Sequence, residues 1–276
     1  MAAASMIKAV IFDIDGTLID SVDFHARAWQ EVFRRHGCET SFQDVRDQIG
    51  KGGDKLMAVF LSPEQIDREG KEMEKERSDL FKREYLLQVK PFPRLRELFE
   101  RLKNDVKKMA LASSAKKDEL ETYKRITGIG PFLEAQTSSD DVSNSKPEPD
   151  IFLAALEGLE SVQPHEAIAI GDTSYDAESA GKAGISTIGV LCGGVSVEKL
   201  MAAGCVAIYR DPAELLQKYD SSPSKRSSTY NFQGRGFQPR WRVDIALLAE
   251  ALCSSVAVAG SRAGPRRSGR RSAVAR

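Results

Sequence analysis

The sequence predicts an α/β protein, built as a doubly wound parallel sheet with an inserted helical cap domain. Three observations lead to this prediction. Residues 7–14 form an apolar run that ends in carboxylates. Residues 94–219 alternate between short apolar runs and segments with helical spacing, which is typical of a parallel sheet covered by helices. Residues 21–90 lie between these regions, are predicted to be helical and interrupt the alternation.

The first strand is predicted at residues 7–14. Residues 10–12 are all apolar, which favours a strand that is buried on both faces in a parallel sheet. Asp13 and Asp15 follow directly at its carboxyl end. An unpaired charge in an apolar site is costly, so folding alone gives no reason for two carboxylates at this position.

Residues 21–90 are predicted to form the inserted cap. Apolar residues recur at helical spacing over 24–33. Two shorter helices are expected on either side of the loop 50–54. The Ser-Pro pair at 62–63 is typical of a helix start, and the highly charged helix that it opens is predicted to run to about Val89.

From residue 91 onward, strands and helices are expected to alternate. The predicted strands are 108–112, 134–137, 167–170, 186–190 and 206–209, and the predicted helices are 94–103, 117–126, 149–158, 175–183, 197–203 and 212–219. Residues 7–20 and 91–221 together make up the predicted catalytic core. In such a fold, ligands bind outside the carboxyl ends of the strands.

Residues 222–276 are predicted to form a separate basic tail that is largely disordered. They hold 11 Lys and Arg against 2 Asp and Glu, a net charge of +9, whereas the whole chain is neutral. Their Gly, Ser and Arg content is typical of a solvated segment. A tether to nucleic acid or to an anionic surface is the alternative, but the isolated aromatic residues make no stacking platform, so no nucleic-acid partner is expected.

The composition favours a cytoplasmic protein without a membrane partner. The 4 cysteines show no CxxC pairing and no metal-ligand spacing, which fits a reducing compartment. Residues 1–6 are too short for a signal peptide, and the most apolar late stretch, 245–259, is too short to span a bilayer. His25, His36 and His165 also show no ligand spacing, so we expect them to lie at the surface or in the packing of the cap.

Polar side chains stand near the carboxyl ends of four predicted strands. They are Asp13 and Asp15 after the first, Ser113 and Ser114 after the second, Lys146 after the third, and Asp172 and Asp176 after the fourth. We expect these strand ends to meet in one crevice. Mg²⁺ prefers oxygen ligands, a transferring phosphoryl group needs donors and cations around its oxygens, and a carboxylate can be the nucleophile. The set therefore indicates phosphoryl transfer.

These residues resemble the four motifs of the haloacid dehalogenase-like hydrolase superfamily, in the expected order. The motif residues are 13–17, Ser113, Lys146 and 171–176. The resemblance spans about residues 7–220, and the insertion is similar to the helical cap of the subfamily with phosphoglycolate phosphatases and β-phosphoglucomutases. It implies a Rossmann-like core and a Mg²⁺-dependent phosphatase that hydrolyses a small phosphomonoester through an aspartyl-phosphate.

The resemblance also implies a role for each motif residue. Asp13 would be the nucleophile, and Asp15 the general acid/base. The metal ligands would be Asp13, Asp172 and, through its backbone carbonyl, Asp15. The residues assigned to the substrate and its phosphoryl group are Thr17, Ser113, Ser114 and Lys146, with Gly16 and Asp176 supporting the site.

Other functions stay open. A sugar-phosphate mutase is the alternative enzyme, because residues 25–29 resemble the start of a mutase cap, whereas residues 16–18 are closer to the phosphatase pattern. A dehalogenase or a phosphonate hydrolase would not be expected to carry a carboxylate at the position of Asp15. A phosphate-binding scaffold is the non-enzyme alternative, and the complete motifs disfavour it.

Substrate specificity is expected to lie mostly in the cap. The loop 50–54 carries Lys51, which we expect to contact the part of the substrate that is not transferred. The sequence does not name the phosphomonoester. The expected partner is therefore a small phosphorylated metabolite, with no closer definition.

Overall fold

The computed structural model of the chain describes residues 5–225 and 227–228. The strands are β1 (Ser5–Met6), β2 (Ala9–Phe12), β3 (Ile19–Asp20), β4 (Lys90–Pro91), β5 (Lys108–Ala112), β6 (Ala135–Thr137), β7 (Ala167–Gly171), β8 (Ser186–Val190), β9 (Ala207–Tyr209) and β10 (Ser227–Ser228). Six of them form a parallel sheet with the order β6-β5-β2-β7-β8-β9. This sheet confirms the predicted doubly wound α/β core.

Helices cover both faces of the sheet and build the insertion. They are α1 (Val22–Arg35), α2 (Phe42–Arg46), α3 (Gly53–Phe60), α4 (Pro63–Glu84), α5 (Leu95–Asn104), α6 (Lys117–Thr127), α7 (Asp150–Glu157), α8 (Ser174–Lys182), α9 (Val197–Ala202) and α10 (Pro212–Gln217). The first four belong to the insertion. None of the helices in the described ranges combines the length and the apolar composition that crossing a bilayer requires.

Strand β2 lies in the middle of the sheet. Its last residue, Phe12, is in register with Leu111 of β5 on one side and with Ile170 of β7 on the other. The backbone N–H of Asp13 still donates to the carbonyl of Ile170, at 2.9 Å. Asp13 is therefore held where the two central parallel pairings end.

Alternate residues of β2 face opposite layers of helices, as the two-residue period of a strand requires. Phe12 belongs to the larger apolar cluster, where its ring stacks on Phe99 of α5 with a centroid distance of 4.7 Å. Ile11 belongs to a second cluster together with Phe152 of α7. Both faces of the strand are therefore buried, which explains why residues 10–12 are all apolar.

The cap is an array of helices that shares the larger cluster with the core. Its longest helix, α4, begins with a capping box, in which the Ser62 side chain accepts from the Gln65 backbone and the Gln65 side chain accepts from the Ser62 backbone. Pro63 occupies the first turn, as predicted. On α1, Trp29 and Phe33 stack with their centroids 5.4 Å apart. The four-residue spacing on α1 thus brings two aromatic rings together on one face of this cap helix.

The chain enters and leaves the insertion through a pair of short strands. Residues 19–20 (β3) run antiparallel to residues 90–91 (β4), with Ile19 opposite Pro91. The amide of Phe92 also donates to the carbonyl of Leu18, at 3.0 Å. The two connections of the cap are thereby joined at its base, beside the aspartates that follow β2.

The packed part of the chain extends beyond the predicted boundary at residue 221. Ser222 and Ser224 are buried and their hydroxyls lie 2.7 Å apart. Lys225 forms an ion pair of 2.6 Å with Asp105. Residues 226 and 229–276, which hold nearly all of the predicted disordered tail, lie outside the described residues.

Candidate active site

Lys146 connects the residues that follow three different strands. Its Nζ donates to Asp13 Oδ1 at 2.6 Å, to Asp176 Oδ1 at 2.7 Å and to the carbonyl of Ala112 at 3.0 Å. Ala112 ends β5, and Asp13 follows β2. The parallel sheet therefore does bring the predicted strand-end groups together, although 133 residues separate Lys146 from Asp13.

Lys146 and Asp13, which form the shortest of these contacts, are both buried. Burial opposes the charge of Lys146, but Asp13 and Asp176 raise the pKa of the ammonium above its usual range. Burial also raises the pKa of Asp13 to about 7 against the opposing charge of Lys146, and Asp176 adds to the rise. The positive charge of Lys146 therefore does not fully offset the effects of burial and of the neighbouring carboxylate on the pKa of Asp13.

Three carboxylates form the acidic part of the site. One oxygen of each of Asp13, Asp172 and Asp176 lies within 4.8 Å of the others, and all three residues are buried. Burial, reinforced by the charges of Asp176 and Asp13, raises the pKa of Asp172 well above its usual value. A cation bound among these oxygens would relieve this repulsion, and oxygen-only donors suit a hard divalent ion. The residues present therefore fit a metal site.

Thr17 holds two of these carboxylates in place. Its hydroxyl lies 3.2 Å from Asp13 Oδ2 and 3.0 Å from Asp172 Oδ1. Gly16 comes so close that a Cβ built on it would lie 2.3 Å from Asp172 Oδ2, and its φ of +78° favours glycine. A Cβ on Gly193, after β8, would lie 1.7 Å from the same oxygen. Two glycines therefore make room for the carboxylate of Asp172.

The third carboxylate, Asp176, is already fully engaged. Its Oδ1 accepts from Lys146, and its Oδ2 accepts from both the hydroxyl and the backbone N–H of Thr173, at 2.6 and 3.0 Å. Thr173 is the N-cap of α8, so the contact is a capping box. Asp176 is thus placed to orient Lys146 and to close the start of α8.

Asp15 lies apart from this group of three. Its Oδ1 accepts from the hydroxyl of Ser21 at 2.5 Å and lies 2.9 Å from His25 Nε2. Burial acts to raise the pKa of Asp15, but the charge and hydrogen bond of His25, with that of Ser21, lower it overall. The two aspartates that follow β2 therefore have opposite pKa shifts, which is common where two carboxylates serve different roles.

The two serines after β5 differ in their environment. Ser113 is fully buried, and its Oγ accepts from the backbone N–H of Ala115 at 3.1 Å. Its own backbone N–H donates to the carbonyl of Thr137 in β6, at 3.0 Å. Ser114 is less buried and lines the cavity above the aspartates. Both serines stand at the sheet edge where Asp13 lies.

A cavity of about 370 Å³ separates the sheet edge from the cap. Asp13 and Asp15 lie on its core side, and the loop 50–54 lies on its cap side. Lys51, which was expected near the substrate, lines this cavity. Its Nζ donates to Gln48 Oε1 at 2.6 Å and lies 5.0 Å from the centre of the Tyr175 ring. The cap loop and the core therefore enclose the space together.

Sequence reasoning missed three side chains of this cavity. His25 was expected to be a packing residue, and this was incomplete, because the ring contacts Asp15 as well as stacking on Phe81. The sequence did contain a signal that His25 belongs with other polar groups: Ser21 and His25 are four residues apart, a spacing that places both side chains on the same face of a helix. Arg77 and Glu119 also line the cavity. They come from separate helices, and no local pattern marks them.

Known proteins are similar to this chain in sequence and in structure. The chain is 29% identical over 211 residues to a phosphorylated carbohydrates phosphatase from Thermotoga maritima, covering 76% of this chain and 96% of that protein. The solved structure of a hydrolase from Pseudomonas syringae matches with a TM-score of 0.71 at 28% identity, covering 78% and 98%. A Thermotoga maritima structure provisionally named a β-phosphoglucomutase matches with a TM-score of 0.58 at 28% identity, covering 78% and 99%.

The chain also matches a family model. The model for haloacid dehalogenase-like hydrolases matches residues 10–190. This range is more than half of the chain, and it runs from β2 through the cap to the end of β8. The resemblance inferred from the motif residues is confirmed. The chain belongs to the haloacid dehalogenase-like hydrolase family.

Proposed function

We propose that this protein is a Mg²⁺-dependent phosphatase that hydrolyses a small phosphomonoester through an aspartyl-phosphate at Asp13. The observation that carries the proposal is the buried contact of 2.6 Å between Lys146 and Asp13, made beside two further buried carboxylates, with Asp13 itself lining the cavity. This arrangement joins a nucleophile, a cation and a metal-binding oxygen set. The phosphatase among the relatives supports the same reaction class.

Asp13 is the proposed nucleophile. The residue follows the central strand, lines the cavity, and is held by the backbone bond to Ile170 and by Thr17. A positioned carboxylate can attack phosphorus and form an acyl phosphate, which water then cleaves. Lys146 lies against Asp13 Oδ1, where its charge favours the ionised carboxylate that attack requires.

Asp15 is the proposed general acid and base. Its contact with His25 keeps the carboxylate ionised in the free protein, the form that takes a proton from attacking water. The negative charge of a bound phosphoryl group beside Asp15 favours the protonated form, which donates to the leaving oxygen. Ser21 and His25 fix the orientation of the carboxylate in both steps.

Asp13, Asp172 and the backbone carbonyl of Asp15 are the proposed ligands of Mg²⁺. When bound, the ion would supply positive charge to the phosphoryl oxygens. Asp176 uses its oxygens for Lys146 and Thr173, so we assign it to holding Lys146 rather than to direct ligation. The hydroxyl of Thr17 contacts both Asp13 and Asp172 and so fixes the spacing between these two carboxylates.

The phosphoryl oxygens would be bound by Lys146, Ser113, Ser114 and the backbone around Gly16. These groups surround the point at which β2 and β5 end. On the opposite wall, Lys51 is proposed to contact the part of the substrate that remains after transfer. The cavity volume of about 370 Å³ suits a small substrate, and the exclusion of water by a bound substrate would strengthen each of these contacts.

The mutase is the second candidate. An ionised carboxylate at Asp15 can deprotonate a sugar hydroxyl as well as water, and the structural neighbour from Thermotoga maritima carries a provisional mutase name. The two reactions differ in which group attacks the phosphorylated aspartate. Isomerised sugar phosphate in excess over free phosphate, followed by phosphorus NMR on a hexose 1-phosphate, would favour the mutase.

The test of the proposed function is phosphate release from a panel of phosphomonoesters, measured with Mg²⁺ and with EDTA. We expect turnover only with Mg²⁺ and none from Asp13→Asn, which preserves the shape of the side chain. Asp172→Asn should raise the Mg²⁺ concentration needed for half-maximal turnover. Wild-type rates from Asp13→Asn would overturn the covalent mechanism, and full turnover in EDTA would overturn the metal requirement.

A further inference from the structure

Arg46 of the cap helix α2 is hydrogen-bonded to the core loop that follows β8. Its Nη2 donates to the backbone carbonyl of Gly193 at 3.0 Å. The guanidinium lies directly against this loop, because a Cβ built on Gly194 would be 2.7 Å from the same nitrogen. Arg46 therefore provides a direct bond between the cap and the core.

A second donor of the Arg46 side chain is used within the cap. Nε of Arg46 donates to Asp23 Oδ1 at 2.7 Å, and Asp23 lies in the first turn of α1. The planar guanidinium holds its donors in a fixed fork, so the bond to Asp23 also sets the direction in which Nη2 points. The position of Gly193 is thereby tied to two helices of the cap.

The loop at residues 192–194 is in contact with the proposed metal site. A Cβ built on Gly193 would lie 1.7 Å from Asp172 Oδ2, so the backbone of Gly193 bounds the space that this carboxylate occupies. The Sγ of Cys192 donates to the carbonyl of Gly16 at 3.2 Å, and Gly16 approaches the same oxygen of Asp172. The position of this loop therefore limits where the Asp172 carboxylate can lie.

Two consecutive glycines make this loop dependent on contacts from outside it. Gly193 and Gly194 have no side chains that could pack, and glycine loses more conformational freedom on folding than any other residue. The amide of Gly194 donates to the carbonyl of Leu191 within the loop, at 2.9 Å, whereas the carbonyl of Gly193 accepts from the cap. Without Arg46, the loop and the carboxylate of Asp172 beside it would have more positions to adopt.

We propose that Arg46 is a positioning residue for the metal site: by holding Gly193 against Asp172, it raises the affinity of the site for a divalent cation. The inference rests on the metal site of the proposed function, but not on which substrate is hydrolysed. A carboxylate that is already ordered binds an ion more tightly than a mobile one, because less conformational entropy is lost on binding. Coupling of this kind is reciprocal, so the bound ion also favours the contact between α2 and the core.

The charge of Arg46 predicts the opposite effect on metal binding. Arg46 bonds to a residue that abuts Asp172, so its positive charge repels an ion bound there. Its removal would also leave the carboxylate of Asp23 without this partner, which adds negative charge nearby. Coulomb interactions alone therefore predict tighter metal binding without Arg46, whereas the positioning role predicts weaker binding, and the sign of the change distinguishes the two.

The experiment measures the binding of Mn²⁺, which takes the same oxygen ligands as Mg²⁺, from the EPR signal of the free ion without substrate. Asp172→Asn identifies the part of the binding that belongs to this site. We expect Arg46→Met to weaken that part about fivefold or more, in the usual range for coupled sites. Arg46→Lys, which keeps the charge but lacks the fork, should weaken it as well. Thermal unfolding in EDTA establishes that each variant is folded.

Another contact between cap and core supplies the matched control. Lys82 of α4 and Asp118 of α6 form a partly exposed ion pair of 2.6 Å. Lys82→Met loses the same charge and also a link between cap and core, but it leaves the contact of Arg46 with Gly193 in place. We therefore expect wild-type affinity for Mn²⁺ from this variant. An equal loss of affinity in Lys82→Met would assign the effect to general loosening of the cap and refute a specific role of Arg46.

The possible results separate this coupling from the enzyme activity. Unchanged or tighter binding of Mn²⁺ by the Arg46 variants would overturn the proposal. If neither variant folds, the wild type decides the matter: Mg²⁺ should slow amide hydrogen exchange in α2, and equal exchange with and without Mg²⁺ would count against the coupling. A wild type that binds no more Mn²⁺ than Asp172→Asn would overturn the metal site and the coupling with it. Failure to release phosphate from any phosphomonoester would overturn only the proposed function, because the coupling is measured without substrate.

Discussion

Nε2 of His25 lies 2.9 Å from Oδ1 of Asp15, and this contact links the first helix of the cap to the second aspartate after the central strand. The ring is itself held by stacking on Phe81, with a centroid distance of 4.0 Å, and lies 3.2 Å from the hydroxyl of Tyr123. His25 is therefore a positioning residue for the proposed acid and base.

Replacing His25 by Gln should lower kcat without a matching rise in KM. The ring orients Asp15 and lowers its pKa, and neither effect holds the substrate. We expect a loss of about tenfold for alkyl phosphates, a part of the total acid–base contribution, and a higher pKa on the acidic limb of the kcat profile. An equal fall in the rate at which an activated aryl phosphate releases its first aryl alcohol would contradict a role through Asp15, because that leaving group needs no proton.

Asp15→Ala should have the larger effect. General acid–base help is typically worth ~10²–10⁴-fold, so a loss of that order is expected with poor leaving groups. An activated aryl phosphate should still phosphorylate Asp13 and then stall, because the step that needs a base remains. A burst of aryl alcohol followed by slow turnover, seen by stopped flow, is the expected signature. Steady turnover without a burst would argue against a phosphorylated intermediate.

Much of the core could be predicted from the sequence because its pattern is local. The strands Lys108–Ala112 and Ser186–Val190 have the predicted bounds, and the helix after Ser62 begins as its capping residues indicated. Helix ends were predicted less well: α10 ends at Gln217, two residues before the predicted Tyr219, and α4 ends at Glu84, five residues before the predicted Val89. The apolar pattern indicates that a helix exists but does not fix its last residue.

The site was only partly predictable for the same reason. Strand-end residues such as Asp13 and Lys146 were expected together, because the carboxyl ends of parallel strands share one edge. The closeness of Arg77 and Glu119 depends on how the cap helix α4 packs against the core helix α6. No spacing in the sequence encodes the orientation of these two helices. The packing expected of His25 is present in its stack on Phe81, but a lone histidine carries no ligand pattern, and only the fold brings its ring to Asp15.

The stability of the cap should fall as the pH rises through the pKa of His36. Its ring bridges Glu69 and Glu76 of α4, at 3.0 and 3.1 Å, and the hydrogen bond that the ring donates to Glu69, helped by the one to Glu76, raises the pKa of the imidazole against the opposing effect of burial. The folded state then holds the proton more tightly than the unfolded state. The resulting stabilisation is complete below the ordinary pKa of ~6.5 and is lost above the folded value.

His36→Gln should therefore flatten this dependence. Between pH 6 and 8, in EDTA, we expect the Tm of the wild type to fall by about 1–2 °C more than that of the variant, the shift that a contribution below 1 kcal/mol produces in a protein of this size. His165→Gln is the control, because its ring makes no ion pair in the described part of the chain. Parallel Tm curves for wild type and His36→Gln would show that the bridge does not couple to folding.

Lys51→Ala should raise KM for the physiological substrate by about tenfold, in the range expected for one lost polar contact, and much less for a small generic phosphate. The amine lines the cavity, and burial lowers its pKa, so it stands where the leaving part of a larger substrate would lie. Lys55→Ala, on the exposed side of the helix α3 that follows this loop, is the matched control. Equal changes in KM for large and small substrates would remove Lys51 from the specificity site.

The end of the folded core can be tested by truncation. A chain that ends after residue 230 should keep the wild-type Tm and turnover, because every proposed site residue precedes it. Ending the chain after residue 221 should lower the Tm by several degrees, the shift expected for a loss of about 1–2 kcal/mol. It removes the buried hydroxyls of Ser222 and Ser224, the ion pair of Lys225 with Asp105 and the pairing of β10 with β1.

Lys225→Met in the chain that ends after residue 230 separates these causes. The Lys225 side chain is more than a third exposed, so its ion pair should contribute little. Most of the loss should instead come from the serines and from the strand pair β1–β10, because Ser222 Oγ donates to the carbonyl of Tyr219 at 2.7 Å and the two hydroxyls bond to each other in a buried site. A Tm for Lys225→Met as low as that of the shorter chain would assign the stabilisation to the ion pair. An unchanged Tm after truncation at 221 would show that the core already ends there.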